Sequence, residues 1–152
     1  MHIIKASASD FALVRHITTQ TIISVYPHYY PCGAVDYFLQ HHSDQNIKTD
    51  IQRGSVYLCL NHEREAVGTV TIQGNEICRL FVLPDCQGNG FGRELLAFSE
   101  KKISETYSTI TLSASLPAKP IYLKRGYVGE SVHSILTENG DYLCYDFMVK
   151  RL

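Results

Sequence analysis

The sequence predicts an α/β (α+β) domain with a mixed, mostly antiparallel central sheet of about seven strands and helices on both faces. Three observations carry this. Apolar residues alternate in short runs near the N-terminus, through the middle and in the last third of the chain. Segments with helical apolar spacing lie between those runs. The junction Glu76 to Arg93 passes from a strand-like run through closely spaced glycines straight into a helix.

The elements follow in order. Ile3-Ile4 opens a short strand. Ser7 and Asp10 have the S-x-x-D spacing of a helix start, and Phe11, Leu13, Val14 and Ile17 recur at helical intervals. Tyr26-Pro27-His28-Tyr29-Tyr30-Pro31 interrupts with two prolines and three tyrosines, an aromatic loop, after which Val35, Phe38 and Leu39 predict a second short helix. The period then changes to two. Val56, Leu58 and Leu60 form one strand, Asn61 to Glu65 turns the chain, Val67, Val70 and Ile72 form the next, and Glu76 to Leu83 follows the turn at Gly74-Asn75. Phe91, Leu95, Leu96, Phe98 and Ile103 mark a helix of about four turns. Ile110 and Leu112 belong to a buried strand, Ala118 to Arg125 to a short helix ended by Gly126, and Val128 to Leu136 with Tyr142 to Val149 to a closing hairpin around Asn139-Gly140.

At 152 residues and 45% apolar, with no long polar tract or repeat, the chain reads as one domain spanning 1–152. A chain of this size buries a core without metal or disulfide staples. Five cysteines with no C-x-x-C pair predict free thiols in a reducing compartment. With no leader-like start and no apolar run of spanning length, a cytoplasmic location and no membrane partner are expected. A net charge of −1 without a basic run gives no footprint for nucleic acid.

The chemistry concentrates after Pro84. Gln87-Gly88-Asn89-Gly90-Phe91-Gly92-Arg93 joins strand to helix. Glycines there let the main chain turn tightly and approach a ligand, while the first amides of a helix lack partners and attract anions. The amides from Gly88 to Arg93 are therefore candidates to cradle a diphosphate, with the Arg93 side chain adding charge. No G-K-[ST] follows, as a P-loop needs, and G-x-G-x-G is not the dinucleotide G-x-G-x-x-G.

Gln87, Gly90 and Gly92 occupy the places of the R/Q-x-x-G-x-G/A motif that the GCN5-related N-acetyltransferase (GNAT) family carries after its fourth strand. Ser115, Ala118, Tyr122, Gly126 and Tyr127 match that family's second common block. The chain thus resembles that family over nearly its whole length in element order, and in specific motif over residues 76 to 127. The resemblance implies an acetyl-CoA-dependent N-acetyltransferase, with coenzyme A as the ligand of the cradle and no metal. It implies that Leu80, Phe81 and Val82 offer main-chain groups to the pantetheine arm, an amide near Phe81 or Val82 polarising the thioester carbonyl, although their side chains suit any buried strand. It places Tyr122 where relatives keep a phenol that assists the departing thiolate, Ser115 where they contact the cofactor with asparagine, and Glu76 where histone-type relatives keep a general base.

The family's first two helices usually wall the acceptor site. Tyr26, His28, Tyr29 and Tyr30 are accordingly candidates for substrate binding or for packing the helices together. His41-His42 reads as a surface pair rather than a metal site. The expected function is acetyl transfer to a primary amine of a small molecule or peptide by direct attack. A non-catalytic coenzyme A module or sensor, or a binder of another phosphorylated ligand, are the alternatives. A homodimer is expected only by analogy.

Overall fold

The computed structural model describes residues 1–152. Strands β1 (His2–Lys5), β2 (Val56–Leu60), β3 (Ala66–Gln73), β4 (Glu76–Val82), β5 (Thr109–Ala114), β6 (Val128–Leu136) and β7 (Tyr142–Arg151) form one sheet in the order β1-β2-β3-β4-β5-β7-β6. All neighbours are antiparallel except β4 and β5. A parallel pair needs a crossover. Helix α4 (Phe91–Ser104) supplies it.

Alternation along the strands sends side chains to two cores. Tyr57 and Cys59 of β2 join Val70, Ile77, Val82, Leu95, Ile103, Leu112, Tyr122 and Met148 on the face covered by α4 and α5 (Lys119–Lys124). Val56 and Leu58 join Val14, Ile17, Ile22, Ala34, Ile47 and Phe81 beneath α1 (Phe11–Val25), α2 (Cys32–His41) and α3 (Asp44–Gln52). The expected helix start is present, with the Ser7 amide donating to the Asp10 carboxylate at 2.8 Å. The aromatic loop is partly a 3-10 turn over Tyr26–His28.

Helix α3 was not expected from the sequence. Its core-facing residues are Ile47, Asp50 and Ile51, too few apolar positions for a helical stripe, and Ser43 caps it by accepting from the Asn46 amide at 3.3 Å.

The sheet parts along β4. Its register with β3 shifts so that Thr71 faces Arg79 but Ile72 faces Ile77, leaving Cys78 as an extra residue. Such a bulge bends its strand. Beyond it β4 leaves β5, whose ladder with β4 holds only at Glu76–Thr111 and Ile77–Leu112.

Candidate active site

The gap between β4 and β5 is edged by free main-chain groups. The Leu83 amide donates to Val67 at 2.9 Å, and register then alternates, so Phe81 faces β3 while Leu80 and Val82 face the gap. The Val82 carbonyl is already taken, accepting from Gln87 Nε2 at 3.0 Å and Thr21 Oγ1 at 3.1 Å. Val82 therefore offers the gap its amide. Of the two amides that the sequence left open for the thioester carbonyl, the geometry favours Val82 over Phe81.

At the mouth of the gap stands the glycine loop. Gly88 and Gly90 have φ of 80° and 87°, the left-handed region that favours glycine. No main-chain carbonyl accepts from the amides of Gly88, Asn89, Gly90, Phe91, Gly92 or Arg93; the first helical bond runs from Glu94 to Gly90. No side chain caps α4. Arg93 is exposed, forms no ion pair within the chain, and lies in the first turn, where a cation opposes the helix dipole. That arrangement is unfavourable until an anion occupies the loop. Two side chains brace the cradle rather than face it: the Asn89 amide donates to the Cys86 and Gln87 carbonyls at 3.2 and 3.3 Å, and Gln87 is tied to Val82 as above. Gln87 thus supports the loop instead of offering its side chain to a ligand.

Tyr122 projects from α5 into the core beside the gap, its ring edge-on to Tyr127 at 5.6 Å. Its hydroxyl bonds to no group of the chain. Burial pushes its pKa up to about 12, so the phenol stays protonated and able to donate. From the opposite face Tyr26, 7% exposed, spans the gap: its ring lies 6.2 Å from Phe81 and its hydroxyl donates to Ser115 Oγ at 3.3 Å. Burial above all, with the nearby Tyr30 and Tyr122 phenols, raises the Tyr26 pKa. Tyr30 also crosses to the far strands, accepting from the Leu116 amide at 2.7 Å and donating to the Cys144 carbonyl at 3.2 Å. The rings of Tyr26 and Tyr30 are buried among Phe38 and one another. His28 and Tyr29 remain exposed. Glu76 is half-buried at the start of β4, at the closed end of the gap.

The expectation for His42 is corrected. It is half-buried rather than fully solvated: Arg79 Nε donates to its Nδ1 at 3.3 Å and its ring meets Phe81 edge-on at 5.5 Å. Arg79, 5% exposed on an inward position of β4, needed partners and found them in His42, Thr71 and Asp50. Arginine among Cys78, Leu80 and Phe81 was the signal in the sequence. All five cysteines are free, as expected, and no helix is long and apolar enough to cross a membrane.

The sheet thus parts between its two parallel strands, with a run of unpaired amides at the mouth and an unpartnered phenol in the adjoining core. The chain belongs to the GNAT acetyltransferases: the family model described as "Acetyltransferase (GNAT) domain" matches residues 23–140. No curated protein sequence matches it. Among solved structures it is similar to a GCN5-related N-acetyltransferase from Rhodopseudomonas palustris (TM-score 0.88, 23% identity, 99% of this chain and 95% of that one). It is also similar to the PaiA N-acetyltransferase from Thermoplasma acidophilum in complex with coenzyme A (0.76, 18%, 99% and 98%). A third is the putative acetyltransferase YncA from Salmonella typhimurium with its cofactor acetyl-CoA (0.74, 16%, 100% and 94%).

Proposed function

We propose that the chain moves an acetyl group from acetyl-CoA to a primary amine of a small molecule or peptide by direct attack, with both reactants bound. The observation that carries this reading is the run of partnerless amides from Gly88 to Arg93 at the mouth of the strand gap. Structural neighbours that hold coenzyme A and acetyl-CoA support it.

In this reading the amides and Arg93 bind the diphosphate, and Leu80 and Val82 pair with the pantetheine arm as a strand would. The bound thioester supplies an activated acyl group. The Val82 amide polarises its carbonyl, and the Tyr122 phenol donates toward the sulfur as the thiol departs. Tyr26 holds Ser115 in place at the end of β5. Only the neutral amine attacks, and Glu76, about 20 Å from Val82 along β4, takes the ammonium proton only through a chain of waters. His28 and Tyr29 stand at the rim where an acceptor arrives. Holding both reactants in line contributes roughly 7–11 kcal/mol.

The aromatic closure by Tyr26, Tyr30 and Phe38 also suits a coenzyme A module that admits no acceptor. One experiment separates the two: an amine panel assayed for free thiol with acetyl-CoA, beside calorimetric coenzyme A binding. Binding with thiol release on at least one amine supports transfer. Binding without release on any amine supports the module, and no binding refutes both.

A further inference from the structure

One polar group on the α1–α3 side of the gap is not used by the transfer chemistry. His42 follows directly on α2 and lies edge-on to Phe81, whose main chain sits between the two residues that edge the gap. Behind the imidazole every polar group is spent. Arg79 gives Nε to His42 Nδ1, Nη1 to Thr71 at 2.8 Å and Nη2 to Asp50 at 3.1 Å, while Gln73 donates to the other Asp50 oxygen at 2.7 Å. An imidazole nitrogen that accepts a hydrogen bond holds its lone pair there, so the neutral ring carries its proton on the other nitrogen. Nε2 is thus an N–H donor, and no acceptor in the chain takes it. His42 is equally unable to act as a base, because its one free lone pair is engaged by a cation.

The charges around it agree. Burial foremost, then Arg79 from β4 and His41 from its own helix, push the imidazole well below the ordinary histidine range. Asp50 of α3, the only carboxylate in the network, is committed to Arg79 and Gln73.

We propose that His42 reads the acyl acceptor: its Nε2–H, fixed beside Phe81 by Arg79, selects amines with a carbonyl or carboxylate close to the reacting nitrogen, as in an amino-acid amide or a peptide N-terminus. This rests on the acetyl-transfer reading. A plain alkylamine offers the half-buried N–H no partner but water, and sites built around a hydrogen bond reject ligands that lack it.

Two measurements test it. Nitrogen-detected NMR of the free protein should show His42 as the neutral Nε2–H form with no titration between about pH 5.5 and 8. A proton on Nδ1, or a titration midpoint inside that window, overturns the assignment. Thiol release is then followed with glycinamide and ethylamine as probes. The wild type should favour glycinamide in kcat/KM. His42→Asn keeps an oxygen for Arg79 but loses the distal donor, and should raise the glycinamide KM about tenfold, the worth of one hydrogen bond to a carbonyl, with a smaller effect on kcat. His42→Gln, whose amide reaches farther, should recover part of that loss. A wild type with no preference, or an Asn variant that shifts both probes alike, overturns the proposal. Release with other amines but not glycinamide locates the failure in His42, whereas no release with any amine locates it in the transfer reading, and the proposal falls with it.

Discussion

Replacing Gly92 with glutamate should move stability and cofactor affinity in opposite directions. Gly92 is the second residue of α4 and its φ is not in the left-handed region. A β-carbon built there finds Val82 Cγ2 at 3.8 Å and nothing closer, an ordinary contact. The fold alone gives no reason for glycine. Glutamate in the first turn of a helix is worth about 0.5–1 kcal/mol over glycine through propensity and the helix dipole, so the free protein should melt about 1–4 °C higher. The family motif admits alanine at this place, but a carboxylate there sits among the unpaired amides and repels the diphosphate, forfeiting a charge-assisted hydrogen bond of about 1.5–3 kcal/mol. Coenzyme A should bind about 10–100-fold more weakly by titration calorimetry, with the melting curve of the free protein as control. A glutamate variant that binds coenzyme A like wild type refutes the cradle. A destabilised one refutes the packing argument. Gly90→Ala cannot make this distinction, because its φ of 87° makes any side chain costly in both states.

Three more outcomes follow from the geometry. Tyr122→Phe, which removes a hydroxyl that bonds to nothing in the chain, should lower kcat by about 10–100-fold, leaving coenzyme A affinity within error, since an acid of this kind acts only as the thiol leaves; wild-type turnover at saturation would exclude the role. Gly33→Ala should nearly cancel: its β-carbon would overlap the Asn139 carboxamide where the β6–β7 turn docks on α2 and Asp141 accepts from the Gly33 amide at 2.9 Å, and that exposed side-chain end must swing off Thr137. The hydrogen bond given up, about 0.5–1.5 kcal/mol, offsets the helix gain of alanine, about 0.5–1 kcal/mol, and a urea midpoint moved by more than about 1 kcal/mol of stability would contradict that account. Glu100 is buried, which alone would raise its pKa, but hydrogen bonds from Arg125 and Lys150 hold it below the usual range. Its contribution is therefore complete above the unfolded value near 4.3 and lost as pH falls through the lower folded value. Glu100→Gln should flatten the acid limb of the stability curve, and an unaltered limb would show that the cluster is not a source of acid sensitivity.

How far the sequence could be read depended on whether a feature leaves a periodic or compositional trace. The meander from Val56 to Val82 was legible because its strands alternate between two cores, and the closing hairpin because of its Asn139-Gly140 turn, although β6 itself is exposed almost throughout. The glycine loop was legible because left-handed residues and a helix start leave few choices of residue. Helix α3 was not, since Ile47 and Ile51 hardly make a stripe. The bulge at Cys78 was invisible: nothing in Ile77-Cys78-Arg79 announces an unpaired residue, so the parting of β4 from β5 came only through the family resemblance. Tyr26 stayed open between two roles and His42 was misplaced for one reason. Partners decide what an aromatic or imidazole ring does, and theirs, Ser115 and Arg79, lie 89 and 37 residues away in the chain.

The short β4–β5 ladder has a mechanical meaning. Main-chain bonding joins β1–β4 to β5–β7 through a seam only two residue pairs long, and the rest of the attachment is side-chain packing together with the phenolic bridges of Tyr26 and Tyr30. A ligand laid along that seam would bond to both banks, completing the weave. Its binding free energy would then count toward keeping the two halves of the protein together.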